Sequence, residues 1–387
     1  MPNSNTAPGF RVLILGGTGM VGRSFLKYLL DLGVCSCIRV ADKLLPQISF
    51  MLPEQEALFD NEIVEFVQAD LTKDTHLDRA FKHAADWDGE RLIFDYVFNL
   101  AAETRYGQAV PLYESRCTEL SKLCAQRAAQ IKCRRYVEVS TALVYKSQAR
   151  TAAAEDYKLN PWTSQSTAKL AAEEEVKKVA AATGLNYIIL RPAIIYGPAD
   201  VNGLMPRIVC AAAYVELKET MKFLWDAGIK INTVHVSDVC AAMWTVAHTN
   251  RERVPSGEVF NLCDRGDTDV GTVNSFLSEL FGIKTGFHGT MLSNVARLRL
   301  ADVVDIANDK HLKPWDTLCK SNNIDRTPLS PFMSIELLDS NHLYVNGSKI
   351  ERDTDFRYGV PTIQKQHLEE SIQAAIESQI FPPILQK

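Results

Sequence analysis

No stretch of this sequence carries an unbroken apolar run of membrane-spanning length, which excludes an integral membrane helix. The first ten residues, MPNSNTAPGF, lack the charged-then-apolar layout of a secretory leader and the Arg-rich face of a transit peptide. Basic residues are not in excess. Against 47 Asp and Glu stand 42 Lys and Arg, a net charge of −5 with no basic stripe, so a nucleic-acid partner is not expected. Histidine is scarce, at 8 in 387 residues, and no Cys/His set has metal-site spacing. Cys35 and Cys37 stand too close for a CxxC, and the nine cysteines are odd in number and irregularly spaced. Several, such as Cys124, Cys210 and Cys240, lie in apolar surroundings, the pattern of reduced, buried thiols in a cytoplasmic protein. What remains is an ordinary globular composition, 46% hydrophobic and 23% charged, long enough for two domains or for one domain with a smaller lobe.

Short apolar runs alternate with helix-like stretches from Arg11 onward. RVLIL (11–15), CIRVAD (37–42), IVEFVQAD (63–70), YVFNLAA (96–102), RYVEVST (135–141) and NYIILRP (186–192) read as strands. Between them, SFLKYLLDLG closed by Gly33, residues 112–130 and KLAAEEEVKKVAAATG (169–184) read as helices. Pro161 and the Thr and Ser after it provide a cap ahead of the last of these. The alternation predicts an α/β fold, a doubly wound parallel sheet with helices on both faces. After Pro192 the rhythm loosens, and a smaller mixed C-terminal lobe is expected over the carboxyl edge of the sheet. The division is therefore 1–192 for the main domain and 193–387 for the lobe, with 233–250, a strand-turn-helix pattern, returning to the main domain. Residues 301–331 show no clear period.

The sequence VLILGGTGMVGRSFL places Gly16, Gly17, Thr18, Gly19, Met20, Val21 and Gly22 directly after a strand and directly before a helix. A tight turn there needs a residue without Cβ, a pyrophosphate needs close backbone approach, and Gly22 lets helix and strand pack. The helix start then offers free N–H groups and partial positive charge to phosphates. Asp42 ends the next strand about 20 residues on, where a ribose-binding acid belongs. Its carboxylate favours NAD over NADP, because it would repel a 2′-phosphate; Arg39 and Lys43 leave NADP as the second choice. Asp70, at the end of another strand, suits an adenine amine or a helix N-cap, and the two roles are compatible.

Together these segments resemble the extended short-chain dehydrogenase/reductase superfamily, which includes NAD-dependent epimerases and dehydratases and the 3β-hydroxysteroid dehydrogenase type. The likeness runs through GGTGMVG, AD at 41–42, ADLT at 69–72, NLAAET at 99–104, VEVSTALVY at 137–145, ILRPAIIYGP at 189–198, TVHVSDVCAA at 233–242 and GEVFNLCD at 257–264. It implies a Rossmann domain holding NAD through Gly16 to Gly22, Asp42, Asp70, Leu71, Leu100, Ala101, Ala102, Lys169 and Pro192. In the superfamily, a tyrosine and a lysine four apart on a helix act with a Ser or Thr at a strand end. The lysine holds the ribose and lowers the phenol's pKa, and the phenolate exchanges a proton with the substrate hydroxyl.

This chain supplies Thr141 and Lys169, but Gln165 stands at the tyrosine position. A carboxamide orients a hydroxyl and cannot take its proton. The family's helix asparagine falls near Cys117, and residues 112–130 contain no Asn. The dehydratase Asp-Glu pair is replaced by Ala142 and Leu143, which disfavours water elimination. Tyr106, Tyr145, Tyr157, His235 and Glu103 are candidates for a substitute proton carrier near cofactor motifs, each with a plain structural alternative such as packing or solvation.

The leading expectation is an NAD(P)-dependent oxidoreductase or epimerase-like protein acting on a hydroxyl of a small molecule, a nucleotide sugar or steroid-like alcohol. Its acid–base chemistry would be slow or relocated. The competing expectation is a catalytically inactive NAD-binding sensor or structural subunit. By analogy with the superfamily, two copies pair through the helices at 112–130 and 169–184.

Overall fold

The computed structural model describes residues 9–83 and 93–386, so the leader expectation, drawn from residues 1–10, lies almost wholly outside the described residues. Six strands arise in order: β1 Phe10–Leu15, β2 Cys35–Asp42, β3 Val64–Gln68, β4 Tyr96–Asn99, β5 Arg135–Val139 and β6 Tyr187–Pro192. A seventh, β7 Val259–Leu262, comes from much later in the chain and adds to the outer edge of β6. All pair in parallel, in the order β7-β6-β5-β4-β1-β2-β3. Strand order reverses between β1 and β4, and the crevice at their carboxyl ends is where such sheets bind ligands.

Both faces of the sheet are covered, which is why its strands read as near-continuous apolar runs. Along β1, Val12 and Ile14 join one core with Phe25 and Leu29 of α1 (Met20–Leu32). Leu13 and Leu15 join the opposite core, with Leu77 of α2 (Asp74–Phe81), Cys124 of α3 (Leu120–Gln130) and Val176 of α4 (Ser164–Thr183). Helix α1 stops at Gly33, whose φ of 62° lets its N–H return to the carbonyls of Leu29 and Leu30. Helix α4 begins at a reciprocal cap: Thr163 Oγ1 accepts from the Ser166 N–H at 3.0 Å, and Ser166 Oγ accepts from the Thr163 N–H at 3.1 Å. Gln165 therefore sits in its first turn. Ahead of α3 lies a π-helical turn, Glu114–Glu119, which buries Cys117. The inner sides of α3 and α4 are buried within the chain, so a pairing of two copies through them would use their outer sides.

Residues after 192 supply two pieces of the main layer. One is β7; the other is α6 (Val236–His248), whose Val239, Met243 and Val246 pack in the same core as α1. Buried Arg135 of β5 ties the end of α6 and the turn after it to the sheet. Its guanidinium donates to the carbonyls of Val246 (2.6 Å), Thr249 (3.1 Å) and Val254 (2.9 Å). A cation at the carboxyl end of a helix meets unsatisfied carbonyls and the negative end of the dipole.

The remainder forms a second core around α5 (Met205–Leu217), with Ile208, Ala212, Leu277, Trp315, Ile372 and Phe381 among its members. Here the structure departs from the sequence pattern. Within the aperiodic 301–331 lies most of α7 (Leu300–Ser321), a helix of 22 residues. Its inward stripe contains Asn308, His311 and Pro314 as well as Val304, Trp315 and Leu318, and the polar and proline members mask the helical period. None of the nine cysteines forms a disulfide, and eight of them are buried. No helix among the described residues is long and apolar enough to cross a membrane, and none of their His, Cys, Asp and Glu groups form a metal-binding cluster.

Candidate active site

A single cavity of about 850 Å³ runs from the glycine turn to the second core. Gly16, with φ of 79°, begins it; a Cβ there would lie 2.6 Å from the Ala101 N. At Gly22 a Cβ would lie 2.4 Å from the Gly17 Cα, so this glycine is required by helix–strand packing. Gly19 is different. Its Cβ would meet only the Gly16 carbonyl at 3.5 Å, and no side chain caps α1 there. The first N–H groups of α1 are thus left for an anion. Asp42 faces the same space and braces the turn, its Oδ2 accepting from the Thr18 N–H and its Oδ1 from the Leu44 N–H, both at 3.1 Å. A bare helix start, a crowded glycine-rich turn and a carboxylate one strand away fit a dinucleotide.

Asp70 also lines the cavity. Burial opposes its ionisation, yet the hydroxyl and N–H of Thr72, with Lys73 and His76, outweigh burial and hold its pKa below the usual range. It caps no helix: Lys73 stands at the N-cap of α2, without a side-chain bond. Thr18, Met20, Val21, Leu71, Leu100, Ala101 and Ala102 line the cavity as well; Gly17, Lys169 and Pro192 do not.

Thr141 reaches the cavity after capping a short turn, its Oγ1 accepting from the Leu143 N–H at 3.2 Å. The neighbouring Ser140 is turned inward and donates to Glu173 at 2.6 Å. Gln165 also lines the cavity, and its Nε2 donates to the Glu103 carbonyl at 3.3 Å. Cys117 Sγ donates to that same oxygen at 3.7 Å. Gln165 and Cys117 thus converge on one backbone atom. Lys169, only 6% exposed, donates to the Val139 carbonyl at 2.8 Å and lies 3.8 Å from Glu138. Glu138 is itself buried and accepts from Tyr136 (2.6 Å), Asn99 (2.8 Å) and Ser121 (2.8 Å). The ammonium is held by the sheet.

The candidate proton carriers separate cleanly. Tyr145 lies outside the cavity, donating to Asn261 and accepting from Arg191, each at 2.8 Å; burial pushes its phenol up to about 12. His235 also lies outside, and burial, then the neighbouring His367, pushes its pKa down to about 4. Tyr157 does not line the cavity and packs against the buried cluster that contains Tyr145 and Leu343. Glu103 is at the cavity but clamped by Arg105 (2.8 and 2.9 Å) and Arg116 (3.0 Å). Burial alone would raise its pKa; the guanidiniums overcome this and bring it to about 2, so it remains an anion. Tyr106 lines the cavity, and its hydroxyl bonds to none of the described residues. Burial, opposed by Arg207, holds it above the ordinary phenol range, protonated at neutral pH.

Sequence reading missed Asp200 and Arg207. Asp200 accepts from the N–H groups of Gly203 (2.6 Å), Leu204 (2.7 Å) and Met205 (3.1 Å), and burial raises it to about 6 despite those bonds. Pro206 in the first turn of α5, a few residues after an aspartate, was the available signal for this helix start.

The NAD dependent epimerase/dehydratase family model matches residues 12–263. A ketoreductase from Stigmatella aurantiaca, acting on 4-hydroxy-2-methyl-3-oxo-4-farnesyl-3,4-dihydroquinoline-1-oxide, is 32% identical over 167 residues. That match covers 42% of this chain and 46% of the relative, so the chain spans about half of that protein's length. Among solved structures, UDP-glucuronic acid 4-epimerase from Bacillus cereus, in complex with UDP-glucuronic acid and NAD, superposes with a TM-score of 0.66 at 15% identity, covering 96% of this chain and 100% of that one. A dTDP-glucose 4,6-dehydratase double mutant from Streptomyces venezuelae, with NAD bound, gives 0.67 at 18% identity, covering 95% and 97%. Identities this low speak for the fold.

Proposed function

Since the chain belongs to the NAD dependent epimerase/dehydratase family, we propose that it is an oxidoreductase interconverting a hydroxyl and a carbonyl on a small molecule, with Tyr106 as the proton carrier. One observation carries this reading: of the four non-carboxylate groups that could replace the missing tyrosine, only Tyr106 shares the cavity with the glycine turn and Thr141. The turn from Gly16 to Gly22 would hold the pyrophosphate, Asp42 the adenosine ribose and Asp70 the adenine amine. The chemistry a bound dinucleotide supplies is hydride exchange with the carbon that carries the oxygen.

Everything else falls to the chain. Thr141 and Gln165 orient the substrate oxygen by hydrogen bonding, and neither titrates near neutrality. Tyr106 is protonated at neutral pH, so its resting state holds the proton that carbonyl reduction consumes, while its raised pKa makes it a weaker acid than an ordinary phenol. A ketoreductase among the relatives supports carbonyl reduction, and nucleotide-sugar epimerases among the solved structures support the wider reaction class. The test is NADH oxidation over a panel of ketones. Tyr106→Phe should abolish it, while Gln165→Ala lowers it only by weaker orientation. Equal turnover by wild type and Tyr106→Phe would refute the assignment.

A second reading, an NAD-binding protein without turnover, draws on Lys169 being held by Val139 and Glu138 and on the neutral Gln165. It predicts NADH binding with no ketone reduced by the wild type.

A further inference from the structure

At its far end the cavity changes character. Phe223, Trp225, Ile231, Met333, Leu338 and Ile380 line it there, giving an apolar wall that belongs to the second core. The charged side chains near that wall are almost all engaged. Asp200 is bound by three backbone N–H groups, and Asp339 pairs with Arg297 at 2.9 Å. Closer to the centre, Arg105 and Arg116 are committed to Glu103, and Arg23 donates to the carbonyls of Thr18, Ser49 and Phe50. Arg207 is the exception. It lines the cavity from the first turn of α5, and its guanidinium forms no hydrogen bond or ion pair with the described residues, although Tyr106 and the Asp200 carboxylate lie near enough to act on it electrostatically.

A half-buried guanidinium without an acceptor is unfavourable unless something else brings one. The guanidinium fork matches a carboxylate or similar oxyanion in two parallel bonds. A nucleoside diphosphate would bring two charged phosphates to a region where, among the described residues, Arg207 is the one cation without a hydrogen-bonded partner and where the Asp200 and Asp339 carboxylates also line the cavity beside the apolar side chains. We infer that the substrate is a monoanionic amphiphile, whose single oxyanion binds Arg207 and whose apolar body lies against Trp225, Met333 and Ile380. This deepens the function proposed above and rests on it for the reacting end of the molecule. It makes Arg207 a specificity-determining residue, distinct from the proton carrier Tyr106.

Calorimetry on the NADH-loaded protein tests it with three probes: decanoate, decan-1-ol and UDP. Decanoate should bind at least tenfold more tightly than decan-1-ol, which has the same body without the charge. Arg207→Leu should erase that preference while leaving decan-1-ol affinity unchanged, and Arg207→Lys should retain part of it. UDP should not displace decanoate. The inference is overturned if UDP binds more tightly than decanoate, or if Arg207→Leu leaves decanoate affinity intact. Thermal melts and NADH titrations of each variant confirm a folded protein with a working glycine turn. If NADH fails to bind wild type, the proposed function falls, and the decanoate comparison run without cofactor still decides the amphiphile question.

Discussion

Replacing Asp42 by Ala perturbs cofactor choice at a place where the magnitudes can be worked out. Each carboxylate oxygen accepts one loop N–H, from Thr18 and Leu44, which leaves about half of its roughly four acceptor sites facing the cavity. Two ribose hydroxyls would fill them. Hydrogen bonds to a charged group contribute about 1.5–3 kcal/mol each, so losing both should weaken NAD binding by about two to four orders of magnitude. The opposite effect acts on NADP. A 2′-phosphate about 4 Å from the carboxylate, at an effective dielectric of about 40, is repelled by roughly 2 kcal/mol per unit charge. Wild type should therefore prefer NAD by at least about 10², and Asp42→Ala should bring the two cofactors within about threefold. Calorimetric titration of both at two ionic strengths is the assay, and the wild-type discrimination should shrink as salt screens the repulsion. Tighter binding of NADP by wild type, or an unchanged preference in Asp42→Ala, would show that the carboxylate does not meet the ribose.

Three further outcomes are expected. Gln165→Tyr should raise ketone reduction toward the low end of the 10²–10⁴ range for acid–base help, because Lys169 is turned to Val139 and is poorly placed to activate a new phenol; NADH absorbance measures it, and no gain at all would count against a site built on the superfamily plan. Lys169→Ala should lower stability by about 2–3 kcal/mol in urea titration, less than a usual broken buried pair, because Glu138 keeps its bonds from Tyr136, Asn99 and Ser121. His235, with a folded pKa near 4 against an unfolded value of 6.5, contributes stability that is present above pH 6.5 and lost as pH falls toward 4. After discounting for its partial exposure the loss is about 2 kcal/mol, and His235→Gln should flatten that part of the stability–pH curve.

Most strands of the main sheet were legible because they are buried on both faces and so carry their own apolar run, as β1 and β5 do, whereas β3, at the sheet edge, is only partly buried. The glycine turn and Asp42 were legible because their roles depend on backbone shape and on spacing along a few dozen residues. Lys169 was not. Its position on α4 matches the superfamily, but where its ammonium goes is decided by Val139 and Glu138, some thirty residues away in sequence. Tyr145 and His235 looked equivalent to Tyr106 for the same reason: all three adjoin cofactor motifs, and only three-dimensional packing separates the one facing the cavity. Arg207 gave no signal, since an arginine in a helix's first turn ordinarily points to water. The 22-residue helix was hidden because its buried stripe is part polar.

The reach of Arg135 has a consequence in time. Its guanidinium waits for carbonyls that lie up to 119 residues further along the chain. At about 5–20 residues per second, a ribosome takes roughly 6–24 s to deliver them. Throughout that interval β5 carries an uncompensated cation, and β6 presents an open edge where β7 has yet to arrive. The main sheet therefore cannot close as its first six strands emerge, and its completion is coupled to the synthesis of the lobe threaded between them. Nascent chains halted shortly after residue 192 should aggregate through β6 or remain bound to chaperones, whereas those extending past residue 262 have every strand they need.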